Sequence, residues 1–177
     1  GLYISVLRTY RNFDGAETFK IMLNCCVAVC KTVESFNLSP VIRWANDVLV
    51  GGRKICGTLI ENTFSSEDCR SIVGMGINVN NSLPEELMGI ATSLKEQTGK
   101  NIPLRKVMKR LLYNLKRGYN VDDYKSYINW FGESVTLNIN GENIIANALD
   151  VDESGLLVCE IEGNIRKISS AEVSLRL

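Results

Sequence analysis

Val41-Ile-Arg43-Trp44-Ala45-Asn46-Asp47-Val48-Leu-Val50-Gly51-Gly52-Arg53-Lys54-Ile55-Cys56-Gly57-Thr-Leu-Ile60 reads as apolar strands folded back on one another. Gly51-Gly52 separates Val48–Val50 from a longer run, Ile55–Phe64. Paired glycines take the positive φ that a tight hairpin demands. A hairpin joins antiparallel neighbours, so the sheet is expected to be antiparallel or mixed rather than built from parallel crossover units. Working outward, Val41–Trp44 is a short strand. Leu2–Leu7 is a β-prone run that opens the chain without a lead-in turn, and further sequence of the same fold is expected upstream. Arg70–Val79 is another strand and carries Gly74-Met75-Gly76-Ile77-Asn78.

Between these strands the period changes. Phe19, Met22, Cys26, Val29, Val33 and Phe36 recur at three- and four-residue steps and predict an amphipathic helix of about five turns, ended by Asn37 and Pro40. Leu104, Val107, Leu111, Leu115 and Tyr119 predict a second long helix, with Asn101 as its cap and Pro103 near its first turn. Tyr124–Trp130 predicts a short third helix. After Phe131 the pattern shortens: Val135–Ile139 alternates, Asn140-Gly141 signals a hairpin, and Ile144–Leu149, Leu156–Ile161 and Ile165–Ile168 follow. Such closely spaced strands predict a small β-barrel. The chain therefore reads as α+β, with a mixed sheet and flanking helices over residues 1–131 and a barrel over 132–177. A dinucleotide-binding Rossmann unit is excluded, because Gly74-Met75-Gly76 lacks the third glycine and opens no helix.

Composition narrows the function. The 177 residues carry 20 basic and 20 acidic side chains, and 45% of them are hydrophobic. A neutral total argues against a general nucleic-acid or membrane-surface binder. No apolar run is long enough for a bilayer. Histidine is absent, which removes Ser-His-Asp and Cys-His chemistry. The six cysteines, Cys25, Cys26, Cys30, Cys56, Cys69 and Cys159, contain no Cys-x-x-Cys pair. They read as small hydrophobes in a reducing, cytoplasmic setting.

Three places carry polar groups that a core does not need. Asn46-Asp47 either closes a turn on its own backbone or holds an amide and a carboxylate at a pocket edge, where they orient an amine or bind Mg2+. Lys54 is either a solvated hairpin cation or an ammonium aimed into a cleft, where it answers negative charge on phosphate or carboxylate oxygens. In the second reading Gly57 lets a ligand lie on bare backbone. Gly74-Met75-Gly76 is either a bulge or a site of close approach, and Asn78 bonds a nucleotide or only its own loop.

In order along the chain, these pieces resemble the biotin protein ligase family. Trp44-Ala45-Asn46-Asp47 is similar to its Trp-Pro-Asn-Asp. Lys54-Ile-Cys-Gly57-Thr-Leu-Ile-Glu61 is similar to Lys-x-x-Gly-Ile-Leu-x-Glu, and Gly74-Met-Gly-Ile-Asn78 to Gly-x-Gly-Ile-Asn. Gly1-Leu-Tyr-Ile-Ser5, Ala91-Thr-Ser-Leu94 and Ala171-Glu-Val-Ser-Leu-Arg176 extend the likeness over the whole chain. Ala45 replaces the family's proline and Arg43 its lysine.

The resemblance implies a class II synthetase-like core followed by an SH3-like barrel. It implies an enzyme that activates biotin with ATP as biotinyl-5′-AMP and passes it to a lysine of a biotin carboxyl carrier domain. Lys54 and Asp47 would be catalytic. Lys54, Gly57, Gly74 and Met75 would bind biotin. Asn46, Asp47, Asn78 and Arg176 would hold the nucleotide, and Asp47 would hold Mg2+. A homodimer is implied by analogy. The family's Gly-Arg-Gly-Arg-type loop precedes its Leu-Tyr-x-Ser strand, so it is expected upstream of Gly1, and this chain is expected to be a folded but poor ligase. The rival readings are a lipoate-type ligase or transferase, a non-catalytic ligand-binding or protein-docking module, and a plain α+β core with a barrel for protein contacts.

Overall fold

The computed structural model describes every residue except Asn12, Asp14, Glu67, Asn140, Ala171, Glu172 and Leu177, and the backbone alone of Val173–Arg176. The first sheet comprises β1 (Leu2–Arg11), β2 (Pro40–Arg43), β3 (Asp47–Val50), β4 (Arg53–Phe64) and β5 (Asp68–Ile77). Their order is β1-β5-β4-β3-β2, and every pairing between them is antiparallel. The Gly51-Gly52 hairpin forms as expected, with φ of 57° and 73°. β1 runs four residues past Leu7, in register with β5 as far as Arg11–Asp68.

Helix α1 (Gly15–Glu34) covers one face of this sheet. Cys26, Val27, Ala28, Val29, Cys30 and Val33 are fully buried on it. Asn37 terminates the following turn in the left-handed region, at φ 60°. The short α2 (Leu94–Thr98) was not foreseen, although Ser93 caps it by accepting from the Glu96 N–H at 3.2 Å. Helix α3 (Leu104–Leu115) stops before Tyr119, where Gly118 turns at φ 70°. Asn101 does not cap it. Pro103 stands at the N-cap position, and it has no side-chain donor or acceptor to offer. The third helix is also displaced from its expected span: α4 is Val121–Lys125, fixed by a reciprocal capping box between Asn120 and Asp123.

The second sheet, β6 (Ser134–Ile139), β7 (Glu142–Val151), β8 (Leu157–Ile161), β9 (Asn164–Ile168) and β10 (Val173–Arg176), has the order β10-β6-β7-β8-β9. Its five antiparallel strands give the SH3-like unit expected of the tail. Asn140 lies outside the described residues, and Gly141 beside it has φ 90°. One hydrophobic cluster runs through both sheets, from Val27 and Ile55 to Leu137 and Leu157. Within the first unit Trp130 Nε1 donates to Ile42 O at 2.8 Å and the Tyr124 ring packs edge-on against Phe19. The second unit is tied on by Lys125, whose ammonium lies 2.8 Å from Asp150 Oδ1.

Candidate active site

Alternation along the strands sends Val73, Met75 and Ile77 toward α1 and leaves Gly74 and Gly76 on the opposite face. The register then lines up one residue from each strand across that open face: Tyr3, Gly76, Gly57, Asp47 and Arg43. Ser5, Gly74 and Leu59 form the next row. The middle of the face is therefore a floor of bare backbone, with Tyr3 on one side and charged groups on the other. A Cβ on Gly74 would meet nothing nearer than 4.0 Å, and one on Gly76 would touch the Tyr3 ring at 3.4 Å.

The charged wall is built by a β-bulge. Val48 faces Cys56 but Leu49 faces Lys54, so Ile55 is the extra residue. Bulges re-aim side chains, and this one turns Lys54 back over β4. The Lys54 backbone is held on its other edge by the segment that follows residue 87: its N–H donates to Ile90 O at 2.8 Å, and its carbonyl accepts from Thr92 N–H at 2.9 Å. Lys54 Nζ lies 2.6 Å from Asp47 Oδ1, and Arg43 Nη2 donates to Asp47 Oδ2 at 2.6 Å. The Asp47 side chain is only 12% exposed, whereas Lys54 keeps 39%. One carboxylate thus carries two cations, and the cluster retains a net positive charge directed at the trough.

Gly57 is part of this device. A Cβ there would sit 2.9 Å from both Cε and Nζ of Lys54 and 3.3 Å from Asp47 Oδ1. The space that glycine leaves is filled by the folded lysine rather than standing open to a ligand. Asn46 is engaged as well: its Nδ2 donates to Thr58 O at 2.8 Å, and its carbonyl accepts from Thr58 N–H at 3.0 Å. Asn78 follows β5, and its Oδ1 accepts from Asn81 Nδ2 at 3.0 Å.

The other site residues named from sequence fall differently. Met75 is 2% exposed with its side chain on the α1 side, so only its backbone borders the trough. Arg176 lies on β10 opposite Thr136, and its side chain lies outside what the structure describes. Asp47 is a poor magnesium ligand, since both its oxygens already hold cations. No group of three His, Cys, Asp or Glu side chains among the described residues is arranged to hold a metal. With Arg43 and Lys54 on it, Asp47 does not fit the role of a Mg2+ ligand in this arrangement.

Sequence reading missed the roles of Arg43 and of the 87–92 segment. The quoted Arg-Trp-Ala-Asn-Asp hinted at the first, because residues four apart across a tight bend can pair. The loop is anchored by Trp44, whose Nε1 donates to Gly155 O at 3.0 Å, and by Tyr124, whose hydroxyl donates to Ala45 O at 2.9 Å. The Trp44–Ala45 peptide is cis. All six cysteines are free and buried. Burial pushes the Cys56 thiol up to about 12 and that of Cys25 to about 11, which leaves neither as a nucleophile at neutral pH.

The sequence and the fold are both similar to those of known proteins. Residues 1–78 match the model of the biotin/lipoate A/B protein ligase family, and residues 131–176 match the biotin protein ligase C terminal domain. The bifunctional ligase/repressor BirA of Bacillus subtilis is 34% identical over 177 residues, covering 90% of this chain and 54% of the relative. The biotin–[acetyl-CoA-carboxylase] ligase of Mycobacterium tuberculosis is 30% identical, over 75% of this chain and 52% of the relative. The chain thus spans about half the length of the curated relatives it matches. The biotin protein ligase of Aquifex aeolicus superposes with a TM-score of 0.76 at 27% identity, covering 98% of this chain and 81% of that one. The same enzyme in complex with biotin and ATP superposes at 0.72, covering 97% and 78%. On the matches over residues 1–78 and 131–176, the curated relatives and the shared fold, the chain belongs to the biotin protein ligase family.

Proposed function

We propose that this chain carries the active-site sheet of an ATP-dependent biotin ligase, with residues 1–131 as the ligase core and 132–177 as its SH3-like companion. The observation that carries the reading is the Arg43–Asp47–Lys54 cluster, with Lys54 folded over Gly57, at the edge of a trough floored by Gly74 and Gly76. In the first step a biotin carboxylate oxygen attacks the α-phosphorus of ATP, the bond to the β-phosphate oxygen breaks, and pyrophosphate leaves. Two anions must meet. Lys54, held by Asp47, supplies the fixed positive charge that lowers their repulsion and follows the charge as it builds on the phosphorus oxygens. Magnesium enters with the nucleotide as part of the substrate.

In the second step the amine of a carrier lysine attacks the acyl carbon, and AMP leaves. The amine proton is lost to solvent or phosphate. Asp47, with both oxygens occupied, orients Lys54 rather than taking that proton. Asn46 holds the loop to β4, and Asn78 borders the nucleotide end of the trough. Removing one such electrostatic contact typically costs roughly a hundred- to a thousandfold in rate. Lys54→Ala should show that loss in biotin-dependent pyrophosphate release with an unchanged melt. A rate within threefold of the parent would return Lys54 to the solvent-facing reading.

A further inference from the structure

The neutral total charge conceals a segregated one. Between Glu96 and Asp122 the sequence contains no acidic residue, yet it carries Lys100, Arg105, Lys106, Lys109, Arg110, Lys116 and Arg117. Six of these cations lie on α3 or within the two residues after it. None of those six makes an ion pair with a carboxylate among the described residues, although most basic residues on the other helices and in the first sheet's hairpin do. Three of them are steadied by rings instead: Lys106 and Arg110 lie 5.5 and 5.3 Å from the Phe36 ring centre, and Arg117 lies 6.0 Å from that of Tyr113.

Helical geometry sets the remaining three apart. At about 100° per residue, Arg105, Lys109 and Lys116 fall within a narrow arc, on the side away from buried Val107 and Leu111. Their Cα atoms span roughly 16 Å along the axis. Tyr113, 65% exposed, flanks this line on one side. The exposed Leu104, Met108 and Leu112 lie on the other side, and Leu112 and Lys116 both line a cavity of about 640 Å³ between α3, α1 and β1. The line is thus cationic, with an aromatic ring on one side and exposed apolar residues on the other, and its Lys116 end borders the cavity. A lipid surface would ask for the reverse order, with apolar side chains foremost. A chain of phosphates at about 3.4 Å of rise per nucleotide places about five within the span of this helix and asks only for cations in line.

We propose that α3 docks the phosphate backbone of a nucleic acid, without base readout, through Arg105, Lys109 and Lys116. The test is fluorescence anisotropy of a labelled 20-base-pair duplex of arbitrary sequence, titrated with the full chain over a series of salt concentrations. Binding should weaken with salt with a logarithmic slope of about −3, as three phosphate contacts require. The triple variant Arg105→Gln, Lys109→Gln, Lys116→Gln should bind at least about tenfold more weakly at low salt and retain the parent's melt. Arg166→Glu, at an exposed cation of the second sheet, should change binding little. Undetectable binding at low salt, or equal binding by the triple variant, would overturn the proposal. So would capture of polyglutamate or of anionic vesicles in the absence of duplex binding, which would assign the helix to an acidic protein or a lipid surface.

Discussion

Lys54 and Gly57 show how a single missing side chain can set the position of a charge. The lysine reaches Asp47 only because residue 57, three positions along the same strand, has no Cβ. A methyl there meets the far end of a flexible side chain, which can swing away at little cost to the fold. Gly57→Ala should therefore leave the melting temperature within about 2 °C, since surface-type changes stay near ±0.5 kcal/mol. It should nevertheless cut adenylate formation at least about tenfold, because the displaced ammonium no longer faces the trough. A large loss of stability with unchanged relative activity would mean that the glycine serves the backbone and not the lysine.

At the level of elements, the loop of residues 44–46 and the second sheet share one joint. Gly155 has φ 86°, and a Cβ on it would fall 2.3 Å from the Phe19 ring of α1, while its carbonyl accepts from Trp44 Nε1. Gly155→Ala combines left-handed strain with overpacking and should destabilise by about 2–4 kcal/mol in urea melts. A loss below about 0.5 kcal/mol would show that α1 gives way freely. The α4 cap is a smaller lever: Asn120→Ala should cost about 1 kcal/mol. Much of this layer was legible in the sequence. The Gly51-Gly52 hairpin follows from glycine's φ, and α1 from a stripe every three or four residues. The bulge at Ile55 was hidden, because an apolar residue added to an apolar strand leaves no mark on the pattern. Without it the register of Lys54 against Asp47 cannot be read. α2 was missed for its five-residue length, too short for a period, although Ser93 and Glu96 carried a capping signature. Asn101 was the more attractive cap by residue type, but Pro103 starts α3 two residues later.

Across the molecule, charge is placed unevenly: a paired cluster at the trough, a cationic helix with no ion pair among the described residues, and a carboxylate-stapled turn between β7 and β8. In that turn burial pushes the Asp152 carboxyl up. The Lys167 ammonium, the Ser154 hydroxyl and the backbone N–H groups of Leu156 and Ser154 outweigh it, and the group ends lowered to about 2. Its folded value lies below the ordinary 3.8, so its contribution to stability is complete above about pH 4 and is lost as pH falls toward 2. The difference in melting temperature between the parent and Asp152→Asn should be largest at pH 5 and above and should close by pH 2; a constant difference would place the turn's stability elsewhere. The same turn carries Gly155, so the second sheet helps to set the loop from which Asp47 projects. The role proposed for Lys54 is that of the cation in a biotinyl-nucleotide site. Isothermal titration of biotinyl-5′-AMP into this chain and into Lys54→Ala tests it directly. One-site binding that weakens about 10- to 100-fold in the variant, as the loss of a charge-assisted contact predicts, would uphold it; equal affinity in the two proteins would contradict it.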